Sequence, residues 1–478
     1  MKKILTLLCS AALMTTACDD FLDEAPRGYT IPKLTEDYDK LLNDGAMNNM
    51  LFFDAYYPAW KSDELIYTEG SLATVSQLSS FPTSVEAAAE LRSDIYRADQ
   101  TSTEWNTAYN QIYTLNVIAN EVMNSRGNDA TKQHLQAEAR VRRAYMHWLL
   151  AQWYAMPYDE ATADEQLAIP IVTEADTQVM DYDRATTKEL YAWITAEMEE
   201  ACPQLEERDE HRMRCYKATG YALMGKVYFS MGRYDDALRA LRVAYDLLRD
   251  DPNVYLTDHN EKQAAYGYRE LTMNEMLAYM PYAYNDNEAL FCKYSNCMKE
   301  YYPAYYGTEP AEYLSPDVYA LYDEHDLRRN LIVTKDVSGN PLAYPTATFY
   351  TAKVNIGCKL PEVYLMLAEC EARVGSTDEA RTILTELRRT RVRPGYEEVP
   401  QEVTTREDLT RYCFDEEARE FAGSDFRYYN VRRLWNDPLF QEQKPLTHEV
   451  GGQTYTWQES GLKTDLPETV LIWNENWR

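Results

Sequence analysis

Along much of the chain, apolar residues recur every three or four positions, the spacing that lines one face of an α-helix. Trp105, Tyr109, Ile112, Tyr113, Asn116 and Ala119 form such a stripe, and its aromatic members Trp105, Tyr109 and Tyr113 are assigned to the core. Leu135 to Tyr154 repeats the pattern with Arg140, Arg142 and Arg143 set among Ala, Trp and Leu, and it stops near Pro157. Proline has no N–H to continue the ladder. Ser125-Arg126-Gly127-Asn128 is the turn of the resulting helical hairpin. A short extended segment, Leu167 to Val172, then leads to a helix from Thr187 to Leu205.

The next pair is the clearest. Tyr221, Met224-Gly225, Tyr228, Gly232, Tyr234, Ala237, Leu241 and Ala244 stand at the spacings of a tetratricopeptide helix-turn-helix. Gly225 and Ala237 let the two helices approach, the aromatics fill the gap, Gly232 opens the turn, and Tyr221 is assigned to the core. A weaker copy runs through Tyr364, Leu367-Ala368, Gly375, Ala380 and Leu384 and predicts helices over 361–390, but with Glu371 where Tyr228 sits in the first copy. The copies start 143 residues apart (221 to 364), so the sequence holds no uninterrupted array. Between them lies a Tyr-, Pro- and Asn-containing region, about 253–355, with little periodicity. A stretch that long inside a compact domain is usually functional, and stiff helix pairs are a suitable scaffold for it. The last clear helix is Leu409 to Trp435, carrying Glu416, Glu417, Arg419, Glu420, Arg427, Arg432 and Arg433; beyond it the chain turns irregular to Arg478.

The first seventeen residues are processing information rather than fold. Lys2 and Lys3 precede a short apolar stretch, Ile4 to Met14, and Thr15-Thr16-Ala17-Cys18 supplies small residues ending on a cysteine. A cysteine directly after the cut points to a lipid anchor on Cys18; an ordinary signal peptide is the alternative. Each buried methylene adds about 0.8 kcal/mol of membrane affinity, so a multi-chain lipid would hold the protein permanently. No other stretch approaches the roughly 18 to 20 uninterrupted apolar residues of a membrane span. The region divides as signal 1–17, an N-terminal helical part 18–252, and a C-terminal part 253–478 containing the Tyr-rich insert 253–355 and helices 361–390 and 409–435.

The 478 residues carry a formal charge of −30, which becomes −32 once Lys2 and Lys3 leave. That acidity argues against nucleic acid and anionic lipid surfaces, which need a positive footprint. After Cys9 and Cys18, seven cysteines remain: Cys202, Cys215, Cys292, Cys297, Cys358, Cys370 and Cys413. None shows metal or redox spacing; buried hydrophobes are the default, with a Cys292–Cys297 bridge as the alternative. Nucleophile-elbow, zinc-protease, P-loop and dinucleotide motifs are absent from the sequence, so no catalytic constellation is expected. His134, His147, His211 and His325 form no ligand-spaced group, and Asp181-Tyr182-Asp183 lacks the other ligands of a calcium loop. No cofactor is predicted, although a structural calcium stays open.

The unusual composition is aromatic: 40 Tyr against 11 Phe and 9 Trp, with sixteen Tyr between Tyr255 and Tyr350. Stacking the C–H face of a sugar on a ring removes ~40–60 Å² of apolar surface, or roughly 1–1.5 kcal/mol. Three such platforms plus hydrogen bonds give about −4 to −8 kcal/mol after ordering costs, which is millimolar to micromolar binding. The candidate platforms are Tyr301, Tyr302, Tyr305 and Tyr306, around Pro303 and Gly307, joined by Tyr67, Phe81 and Tyr96, with Arg92 as a hydroxyl donor.

These pieces, in this order, resemble the SusD/RagB family of surface nutrient-binding lipoproteins from Bacteroidetes. The resemblance runs from Cys18-Asp19-Asp20-Phe21-Leu22-Asp23 through Ser62-Asp63-Glu64, Trp105 to Asn120, Ala137 to Tyr154 and Ile169-Pro170. It continues through Tyr221 to Ala244, Tyr364 to Glu369, and Arg419-Glu420 to Trp435. Two departures stand out. Ser424 and Asn430 replace residues that are often acidic in the family, which is expected to loosen the ion pairs of the Arg-rich helix, and the chain ends without an Asn-Pro-Gly-Tyr-like motif, which puts the C-terminal packing in question. The resemblance implies a predominantly α fold of tetratricopeptide-like pairs supporting an irregular, ligand-binding half. It also implies a non-catalytic, outer-membrane glycan binder that serves a SusC-like TonB-dependent transporter. The acidic residues after Cys18 resemble a signal for display on the outer surface. A peptide receptor of the RagB type, a surface glycoside hydrolase and a protein-interaction scaffold are the alternatives.

Overall fold

The computed structural model describes residues 32–50, 57–179, 182–207, 211–279, 285–296, 309–336, 338–347 and 353–478. Cys18, Asp181, Cys297, Tyr301, Tyr302, Tyr305 and Tyr306 lie outside the described residues.

Helices dominate. The principal ones, in chain order, are α1 (Thr103–Glu121), α2 (Asp129–Tyr154), α3 (Thr187–Ala201), α4 (Lys217–Ser230), α5 (Tyr234–Leu248), α6 (Leu360–Arg373), α7 (Thr377–Arg389), α8 (Arg406–Phe421) and α9 (Phe426–Leu434). Among the described residues none is long and apolar enough to cross a membrane. Their starts follow from local chemistry. The Ser102 hydroxyl accepts from Trp105 N at 3.1 Å, and the Asn128 side-chain Oδ1 accepts from Ala130 N at 2.9 Å, each pairing an otherwise orphaned first-turn donor. Thr186 with Glu189 and Thr405 with Asp408 close capping boxes on α3 and α8.

α1 and α2 form the expected hairpin, and α2 is buried along most of its length. Its charged residues are neutralised in place. Glu138 takes three bonds from Arg214 at 2.9, 2.9 and 2.7 Å and one from Arg142 at 3.1 Å; Arg143 pairs with Glu197 at 2.6 Å. In the first tetratricopeptide-like pair Gly225 lies against Leu241: a Cβ at that glycine would stand 2.6 Å from Leu241 Cγ. Gly232 turns the chain between α4 and α5 at φ +70°, a left-handed angle that costs glycine nothing.

The two tetratricopeptide-like copies, remote in sequence, stack in space through α5 and α6. The Tyr245 ring meets Tyr364 edge-on at 5.2 Å, the Tyr245 hydroxyl donates to Glu386 at 2.5 Å, and Arg242 bonds both Glu371 and Glu379. Glu371, the departure from the repeat pattern, is thus the partner that joins the copies. One continuous apolar core collects residues from Tyr38 to Val470 and so crosses the 252/253 division.

Several expectations change. Tyr113 is 42% exposed rather than core, while Trp105 is buried and Tyr109 and Tyr221 pack half-buried against the core. The stripe 105–109–113 advances by four residues each time, so Tyr113 has drifted roughly 80° around the helix from Trp105. The helix expected over 409–435 is two helices, broken at Ala422–Asp425, where Gly423 has φ +66°. The loosened ion pairs do not occur: Asn430 Nδ2 donates to Glu417 at 2.7 Å, and Arg433 bonds Glu369 at 2.6 Å. Nor is the tail irregular throughout. It contains a strand pair, and Trp477 packs edge-on against Trp105 at 6.1 Å while its Nε1–H donates to Tyr182 O at 2.9 Å. Among the described cysteines, Cys202, Cys215, Cys292, Cys358, Cys370 and Cys413 are all buried.

The described part of the insert is built of short strands and short helices. A four-stranded sheet gathers β1 (Leu65–Tyr67), β2 (Tyr313–Leu314), β3 (Thr447–Val450) and β4 (Gln453–Thr456) in the order β4-β3-β1-β2. β1 pairs parallel to β3 (Glu449 opposite Ile66) and antiparallel to β2 (Ile66 opposite Tyr313). Three remote stretches of chain therefore meet at one strand.

Candidate binding cleft

α8 and α9, on either side of the break, and strands β1 and β3 of this sheet line a cleft of about 750 Å³. Its wall begins with Asp63 and Glu64, directly before β1. Both grip the broken helix: Glu64 accepts from Gly423 N at 2.8 Å, and Asp63 takes a two-pronged bond from Arg427 at 2.8 and 2.9 Å. A left-handed glycine leaves its N–H outside the helical ladder, and Glu64 supplies the partner. Burial opposes the charge on Asp63, but the Arg427 guanidinium overcomes it and holds the carboxyl below the usual carboxylate value.

β3 contributes by alternation. His448 and Val450 point inward and are buried, whereas Thr447 and Glu449 are exposed and line the cleft. The buried His448 ring meets Tyr67 edge-on at 5.2 Å, and burial pulls its pKa down to about 4. Ser315 to Val318, Leu321 and Tyr344 come from the insert, and Phe414, Asp415 and Ala418 from α8. Tyr344 is half-buried, with its ring edge-on to Tyr313 at 5.7 Å; Phe414 is buried at the floor. Burial raises the Asp415 carboxyl above its ordinary value, with Arg419 only partly offsetting it. A second cleft, of about 640 Å³, runs along α1 and is lined by Thr107, Asn110, Gln111 and Thr114 together with Asp44. Among the described residues no His/Cys/Asp/Glu group is arranged to hold a metal ion.

None of the four described candidate residues lines the 750 Å³ cleft. Tyr67 is 1% exposed, stacked on Trp60 at 5.3 Å, and so offers no face to a ligand. Phe81, half-buried, precedes the helix Pro82–Ala89 with Arg97 above its ring at 6.0 Å. Arg92 is exposed, but its guanidinium is held by Asp94 at 2.8 and 2.9 Å. Tyr96 turns its hydroxyl inward to Glu104 and Tyr154, so its polar edge is already engaged. The lining residues Asp63, Glu64 and Arg427 lie in segments that carried the family resemblance, and Tyr344 belongs to the tyrosine enrichment; Thr447 and Glu449 carried no signal.

Chemically, the cleft offers carboxylate acceptors for hydroxyl donors, the Ser315 and Thr447 hydroxyls, the Gln443 amide, and two aromatic rings. A few convergent polar groups around an apolar surface are the usual make-up of a small-molecule site.

Comparison with known proteins agrees with this architecture. Residues 20–229 match a SusD-like family model described as "Starch-binding associating with outer membrane", and residues 346–471 match the SusD_RagB model of the SusD family. A SusD superfamily structure from Bacteroides vulgatus aligns with a TM-score of 0.68 at 16% identity, covering 92% of this chain and 97% of that one. One from Bacteroides thetaiotaomicron gives 0.66 at 17%, covering 93% and 98%. A third, from Bacteroides vulgatus and titled a SusD-like carbohydrate binding protein, gives 0.66 at 14%, covering 93% and 97%. At these identities the structures speak for the fold alone. No curated protein matches the sequence.

Proposed function

The chain belongs to the SusD/RagB family, and from that premise we propose that it is a non-catalytic glycan-binding protein. It captures oligo- or polysaccharide in the 750 Å³ cleft and delivers it to a SusC-like TonB-dependent transporter, held at the outer-membrane surface by lipid on Cys18. The observation that carries the reading is the lining of the cleft. Carboxylates and hydroxyls stand beside the half-buried Tyr344 ring, a pairing that suits a molecule with hydroxyls on its edge and C–H groups on its face. The sheet and helix break that hold these groups are fixed by bonds from remote segments, so the site is preorganised. Binding of millimolar to micromolar strength suits a receptor that must release its cargo.

Affinity gel electrophoresis against a polysaccharide panel, with reducing ends assayed in parallel, tests this. Retardation without new reducing ends, reduced in Tyr344→Ala, is the expected result. Digestion of a retarding polysaccharide, or retardation unchanged in the variant, overturns it.

A further inference from the structure

The cleft also carries a charge preference. Resting on the glycan-binding reading, we infer that it selects neutral or amino sugars and rejects uronate and sulfated glycans. Among the described residues its lining includes Asp63, Glu64, Asp317, Asp415 and Glu449 against a single cation, Arg427. That guanidinium is already occupied: both prongs are on Asp63 at 2.8 and 2.9 Å, and a third bond at 3.4 Å goes to Gln443 Oε1.

The nearby cations are committed too. Arg419 donates to Leu321 O at 2.8 Å and to Glu416 at 2.9 Å. Lys444 donates to Trp435 O at 2.6 Å, with its ammonium 3.5 Å above the Trp435 ring centre. An anionic sugar entering here finds no uncommitted cation among the described lining residues, and it must shed water beside carboxylates of its own sign. A neutral sugar presents O–H donors to the same oxygens, and an ammonium group gains a charge-assisted bond. The low-dielectric walls of a cleft and the chain's net charge of −30 act in the same direction. Rejection by unpaired like charge is a standard source of selectivity.

Asp317 and Glu449 are exposed, so their charges can be removed without opening the core. A glycan array probed with the full-length chain, with neutral, glucosamine-containing, uronate and sulfated members, reads the preference directly. Signal confined to neutral and amino members, falling with added salt for the amino ones, is expected. For the Asp317→Asn/Glu449→Gln variant, the ratio of uronate to neutral affinity should rise about tenfold. Uronate or sulfated glycans bound as tightly as neutral ones overturn the charge preference while leaving glycan binding intact, as does an unchanged ratio in the variant. An array with no signal at all overturns the glycan-binding reading itself, and the preference with it.

Discussion

The helix-pair frame and the cleft are built in opposite ways. In the frame, neighbours in space are mostly neighbours in sequence: α1 with α2, α4 with α5, α6 with α7. In the cleft, residues near 63, 315, 344, 415, 427 and 447 converge, and hardly any two walls come from one stretch of chain. The frame is closed by apolar packing and by ion pairs deep inside it. The cleft is closed by a few bonds from Asp63 and Glu64 to the broken helix and leaves Asp317 and Glu449 toward solvent. Rigidity and the proposed recognition thus fall in different parts of the chain, and the two should respond differently to substitution.

The largest effect is expected at Arg433, which bonds Glu369 at 2.8 and 2.6 Å and lies 3.9 Å over the Phe229 ring, tying α9 to α6 and α4. Arg433→Met strands buried carboxylates and should cost about 3 kcal/mol in thermal or denaturant unfolding. Adding Glu369→Met should restore part of that loss, because both charges are then gone. A single variant as stable as wild type breaks the picture of a frame held by buried ion pairs.

A smaller effect concerns pH. Burial, and then the charge of Glu369, push the Glu417 carboxyl up to about 8. A folded-state value above the unfolded one means that its contribution is fully present below about pH 4.5 and is lost as pH rises through about 8. The unfolding free energy of wild type should therefore decline relative to that of Glu417→Gln between these limits. The Gln side chain can still accept from the Asn430 amide and donates to Glu369 without titrating. A constant difference between the two proteins across the window contradicts the shift. The smallest effect is at the cleft: Tyr344→Ala should weaken glycan binding about fivefold, roughly 1 kcal/mol, and leave Tm nearly unchanged.

The same contrast governs what was legible in the sequence. Helices α1 to α7 announce themselves because a 3.6-residue repeat is a local property, and their caps and turn glycines lie within a few residues of it. The stacking of the two tetratricopeptide-like copies was hidden by the insert between them. Cleft strands of two to four residues are too short for any repeat, and Tyr67 sits in a strand buried throughout, so alternation gave no warning that its ring faces the core. The break at Gly423 was visible as a glycine inside a helical pattern, but its role depends on Glu64, about 360 residues upstream (423 against 64). Asn430 in the Arg-rich helix predicts looser ion pairs; in space its amide is a hydrogen-bond donor to Glu417, a role closed to an ionised carboxylate.

Hydrogen–deuterium exchange of the full-length chain, with and without a retained oligosaccharide, tests the division most directly. Slowed exchange at residues 63–67, 313–321 and 443–450, with helices 217–248 unaltered, is the predicted outcome. Protection confined to the helix pairs, with those three segments exchanging as fast as in the free protein, would contradict it.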